Sequence, residues 1–142
     1  MMKLHLKIRD TSEILSGYVF VNKPFEIPYS LVDETDNLFS HIKEPIHVDV
    51  KAYFDDDPLQ ECPRELLDVY SVETSSIQRN GGGSVTVCIK DVSMNHDNRK
   101  IVIKFTPAPI SQYDILPAQT SPVVSVRHKL MVIESNTSSY TW

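Results

Sequence analysis

No stretch of the chain is apolar enough to cross a membrane as a helix, which takes about 20 residues. Residues 1–9 alternate charge and hydrophobe, so the apolar core of a signal peptide is missing as well. Only two cysteines occur, Cys62 and Cys88, too few for a disulfide scaffold. An intracellular, reduced setting is therefore expected, with both thiols as small buried apolar residues. The single tryptophan is the last residue, Trp142, so the Cys–Trp–Cys signature of antibody-type domains is absent. Catalytic and cofactor motifs are missing too. There is no Gly-x-Ser-x-Gly elbow, no Cys-x-x-Cys or His-x-x-x-His, and no Gly-Lys-Ser/Thr after the glycines at 81–83. The chain reads as non-enzymatic, with no cofactor and no metal.

What is present is alternation. In residues 84–92, Val85, Val87 and Ile89 share a face; in 99–106, Ile101, Ile103 and Phe105 do the same. Period two marks a strand with one side in a core. The two runs are read as a central hairpin, joined by the connection 93–98. Residues 3–8, 18–21 and 25–32 give three earlier strands, with Pro28 placed on an edge or at a bulge because it lacks a ladder donor. Residues 46–54 alternate most cleanly, and the aspartates 55–57 end that run. Residues 33–37 are a turn by composition, and Asn80-Gly81-Gly82-Gly83 is the strongest turn signal in the chain. A short helical turn is expected at 63–67, followed by a strand; the alternative for this segment is a strand over 66–72. Residues 107–122, with four prolines, read as a long irregular loop, and 122–134 as a long last strand with a bulge near His128.

Seven to nine strands at roughly 8–15-residue intervals, with at most one short helical turn, spell an all-β chain. The expected form is an antiparallel β-sandwich of immunoglobulin-like architecture. With 142 residues, 41% of them hydrophobic, one domain over 1–142 is expected. The end at Tyr140-Thr141-Trp142 has no polar tail, which suggests a piece of a longer chain.

Charge is uneven. Residues 1–71 carry 7 Lys/Arg against 14 Asp/Glu, a balance of −7; residues 72–142 carry 7 against 5, a balance of +2. An acidic whole disfavours general nucleic-acid binding, yet the second half holds Arg99, Lys100, Lys104, Arg127 and Lys129. Brought to one edge, these would form a cationic patch. The polar connection adds Asn95, His96 and Asn98, side chains suited to directed hydrogen bonds. Tyr53, on the polar face of its strand, and Tyr113, in the proline-rich segment, are expected as exposed anchors for a partner. Residues 55–57 with Asp49 lack the alternating spacing of a Ca²⁺ loop and read as a solvated strand terminator. His41, His47 and His96 have no ligand spacing.

Two functions follow. The first is a non-catalytic protein-interaction module of a regulatory or adaptor protein, using Asn95, His96, Asn98, Arg99, Lys100, Arg127, Lys129, Tyr53 and Tyr113. The alternative is a nucleic-acid-binding regulatory domain. Immunoglobulin-like DNA-binding domains of transcription factors use loops at one end of a sandwich in a similar way. Pro28 and residues 55–57 guard against edge pairing, whereas the last strand has no such device, so a homodimer by sheet extension is a further expectation.

Overall fold

The computed structural model describes residues 2–70, 75–91 and 93–127, apart from the side chains of residues 58, 59, 94 and 95. Strands dominate. In chain order they are β1 (Met2–Ile8), β2 (Tyr18–Phe20), β3 (Phe25–Val32), β4 (Ile46–Phe54), β5 (Asp57–Glu61) and β6 (Leu67–Tyr70), then β7 (Ser76–Ile77), β8 (Gly82–Ile89), β9 (Ile101–Pro107), β10 (Tyr113–Leu116), β11 (Ala118–Gln119) and β12 (Val124–Val126). The chain is all-β. One four-residue helix, Ser12–Leu15, and 3₁₀ turns at Arg64–Leu66 and Ser93–His96 interrupt it.

Two five-stranded sheets carry the fold. The first has the order β10-β1-β3-β8-β6; in the second, β11-β9-β4-β5 run side by side and β7 pairs with β4. A separate two-stranded sheet joins β12 to β2. Most pairings are antiparallel, but β1–β10 and β2–β12 are parallel. The inward residues are those the alternation names. Leu4, Leu6, Ile27, Leu31, Val85 and Val87 of the first sheet share one buried cluster with Val48, Ala52, Phe54, Ile103 and Phe105 of the second. Each of these side chains except Ala52 contributes roughly 1.5–3 kcal/mol relative to exposure. Tyr29 lies 5.5 Å from Phe105, ring to ring, and its hydroxyl donates to the Ser76 carbonyl at 3.0 Å. Burial pushes its phenol pKa up to about 12. Gly83 faces this tyrosine, and a Cβ there would lie 2.5 Å from both the ring and the Ser76 carbonyl oxygen. Both cysteines are buried and free, and burial raises the Cys62 thiol to about 11.

Several expectations are corrected. β8 and β9 are not a hairpin: β8 pairs with β3 and β6, and β9 with β4 and β11. Their connection carries the chain from one sheet to the other. Pro28 is not on an edge but in β3, between β1 and β8. Its carbonyl accepts from Arg9 N, so the side lacking an N–H faces β1 where that strand ends, and few ladder bonds are lost. The proline-rich segment contains β10 and β11, with Pro107 ending β9 and Pro117 separating the two short strands. Strands number twelve among the described residues, above the seven to nine expected, because pieces of two or three residues are set by pairing and are too short to show alternation. The helical turn at Arg64–Leu66 stands where expected, but among the described residues Ser12–Leu15 and Ser93–His96 add two more. Asp57 opens β5 rather than only ending β4. From 128 onward the expected last strand, with the dimer contact assigned to it, lies outside the described residues.

Candidate partner-binding face

The connection 90–100 leaves β8 with Lys90 N donating to the Leu66 carbonyl at 2.6 Å. It winds through the Ser93–His96 turn and then takes Asp97 and Asn98 through the left-handed region, both at φ 57°. Two consecutive non-glycine residues there are uncommon; Asp and Asn tolerate it best because their short polar side chains bond locally. Asn98 N donates to the Ser93 carbonyl at 2.9 Å and Arg99 N to the His96 carbonyl at 3.1 Å, closing the loop on itself. A buried serine pair pins it to β12. Ser125 N donates to Ser93 Oγ at 2.8 Å, and Ser125 Oγ donates to the Asp91 carbonyl at 2.7 Å. The remaining 3.2 Å contact between the two hydroxyls is therefore Ser93 donating.

Arg99 locks the other side. Its Nε and Nη2 donate to the Asp56 carboxylate at 3.0 and 2.7 Å, and Nη2 also reaches Gln60 Oε1 at 2.9 Å. The guanidinium lies 3.8 Å from the Phe54 ring centroid, a cation–π stack. Arg99 hydrogen bonding holds the Asp56 carboxyl below the usual carboxylate range, and Asp56 in turn raises the guanidinium. Asp55 N donates to the Lys100 carbonyl at 2.9 Å. His96 Nε2 is 2.9 Å from Asp91 Oδ2, and its ring stands 5.9 Å from Phe54. Between Phe54, Gln60, His96 and Arg99 lies an open depression of about 390 Å³.

Of the residues singled out in the sequence, His96, Asn98, Arg99 and Lys100 are gathered by the connection. Asn98 and Lys100 are exposed, whereas His96 and Arg99 are half-buried. Arg127 is exposed and follows β12 directly, so its backbone runs beside the serine pair. Tyr53 and Tyr113 are half-buried rather than exposed. Lys104 stands 5.7 Å over the Tyr53 ring, and Tyr113 packs edge-on against Phe39 at 5.4 Å, on the β1 side of the first sheet. Tyr113 is apart from the site. The Asn95 side chain and Lys129 lie outside the described residues.

Sequence reading missed Phe54, Asp56, Gln60 and Asp91. Nothing in the sequence couples Arg99 to an aspartate 43 positions earlier. The run at 55–57 was a signal, but for a turn rather than a counter-ion. Among the described residues, no three His, Cys, Asp or Glu side chains gather as a metal site would require. His41 sits edge-on to Phe39, away from His96. No helix among the described residues is long and apolar enough to cross a membrane. Comparison with models of known families, with curated proteins and with solved structures gives no match in any of the three.

Proposed function

We propose that the chain is a non-catalytic protein-interaction module of an intracellular regulatory or adaptor protein. Its frame is an immunoglobulin-like sandwich of the two five-stranded sheets, a reading supported by the buried cluster that both sheets share. Recognition falls to residues 93–100, where bonds from Asn98 N to Ser93 and from Arg99 N to His96 close the backbone on itself and leave Asp97, Asn98 and Lys100 outward. Such a pre-ordered loop loses little conformational entropy on binding.

The observation that carries the protein reading is the engagement of Arg99. The strongest cation of the expected basic edge is neutralised by Asp56, and Asp55 and Asp57 flank it. Phosphate binding relies on a continuous field of cations, and carboxylates interrupt this one. A mixed-charge surface suits a protein partner, where complementary pairs set specificity. The second reading, nucleic-acid binding, draws on exposed Lys100 and Arg127 at the same end.

Affinity capture at low and high salt tests both. With the wild-type chain a discrete protein partner is expected, retained at high salt and lost from the double variant Asn98→Ala/Lys100→Ala. Binding to a mixed DNA and RNA pool that weakens steeply with salt, and is lost on neutralising Lys100 and Arg127, would overturn the proposal in favour of the second reading.

A further inference from the structure

The loop from β7 to β8 holds a reactive pair that shares no residue with the connection 90–100. Gly81 N donates to the Gln78 carbonyl at 2.8 Å, and Gln78 N donates to the Gly82 carbonyl at 2.8 Å. The loop is tight, and Gly81 closes it in the left-handed region at φ 86°. Glycine is compulsory there, because a Cβ at 81 would collide with the Phe39 carbonyl oxygen. The residue before it is Asn80, and of the chain's asparagines it alone is followed by glycine. The fold therefore fixes an Asn-Gly pair at this position.

Asn80 is exposed, so water reaches its amide. Its Oδ1 accepts from Gly82 N at 3.0 Å, which curls the side chain back over the Gly81 peptide. That is the sense in which Gly81 N closes a five-membered ring on Asn80 Cγ. The Gly82 N–H also sits on the oxygen where negative charge develops when Cγ is attacked, the position of an oxyanion donor. One bond opposes the reaction. Gly81 N is engaged with the Gln78 carbonyl and must be released, and lose its proton, before it attacks.

We propose that Asn80 is a site of spontaneous deamidation in the folded protein. Hydroxide takes the proton from Gly81 N, which attacks Asn80 Cγ. The N–Cγ bond forms, the Cγ–Nδ2 bond breaks, and Nδ2 leaves as ammonia with a proton from water. A second water opens the cyclic imide at either carbonyl, giving aspartate or isoaspartate at 80 and one more negative charge on a chain whose balance is −5. The two products differ in effect. Aspartate keeps an oxygen for Gly82 N, and the bond becomes charge-assisted. Isoaspartate routes the main chain through Cβ and lengthens a loop whose Gly81 carbonyl accepts from Leu31 N at 2.7 Å and whose Gly82 pairs with Ser30. The change thus reaches the β3–β8 pairing of the first sheet. It is independent of the interaction-module reading.

The test is timed incubation of the folded full chain at several pH values, beside the same chain unfolded in urea, read by peptide mapping with isoaspartate detection. Aspartate and isoaspartate are expected at 80 in the folded sample before any other asparagine converts, at a rate that rises in proportion to hydroxide. Asn80→Ser, whose hydroxyl also accepts from a neighbouring backbone N–H, should abolish the conversion. The wild-type time course stands whether or not that variant folds. In the isoaspartyl fraction, amide exchange at Leu31 should quicken while exchange in β9 stays slow. No conversion at 80 in the folded chain while the unfolded chain converts, another asparagine converting first, or a rate indifferent to pH would each overturn the proposal. Unchanged exchange at Leu31 would overturn its structural consequence.

Discussion

Arg99 holds a carboxylate, an amide oxygen and an aromatic face at once. Its planar fork makes this geometry, which a lysine ammonium does not reproduce. Arg99→Ala should therefore lower the urea midpoint more than Lys100→Ala, whose side chain is exposed, and Arg99→Lys should restore little of the difference. The pH dependence follows from Asp56, whose carboxyl Arg99 holds down in the folded state. A depressed carboxyl contributes stability above its unfolded pKa and loses that contribution as pH falls through the folded value. Denaturation of wild type and Asp56→Asn across pH should show a gap at neutrality that narrows on acidification and is gone below the carboxylate range. A constant gap would mean that Asp56 acts by packing and not by charge.

At the scale of elements, the connection depends on two buried serines. Ser93→Ala leaves the Ser125 N–H without its acceptor, a loss of about 1–3 kcal/mol for a buried donor. Amide exchange at Asn98 and Arg99 should quicken in that variant while exchange in β4 stays slow. These elements also show how far the sequence could be read. β3 and β4 were legible to the residue, since eight and nine residues of alternation fix both limits and the buried face. The partners of β8 and β9 were not, because alternation names the face a strand buries and is silent about its neighbours. Closeness in sequence favoured a hairpin, whereas the long polar connection leads to the other sheet. β7 and β11, two residues each, exist only through their pairing. In the candidate site the polar loop and its outward residues were readable from composition. Arg99's partner was not, because a contact across 43 positions depends on the topology that brings β4 beside β9.

For the whole molecule, the charge asymmetry between the halves reverses its apparent meaning. The acidic first half and the basic second half suggest separate surfaces, but the fold lays the turn at 55–57 against the start of β9 and mixes them. The cationic edge becomes a mixed one beside the loop that Asn98 N and Arg99 N close on Ser93 and His96, and the proposed protein partner is assigned to that end. The most direct measurement is photo-crosslinking in cell extract from a benzoylphenylalanine placed at position 98, beside a control at the exposed Thr106. The account predicts a discrete adduct at 98 that protease destroys and nuclease leaves intact, and none at 106. A nuclease-sensitive adduct at 98, or no adduct beyond that of the control, would contradict it.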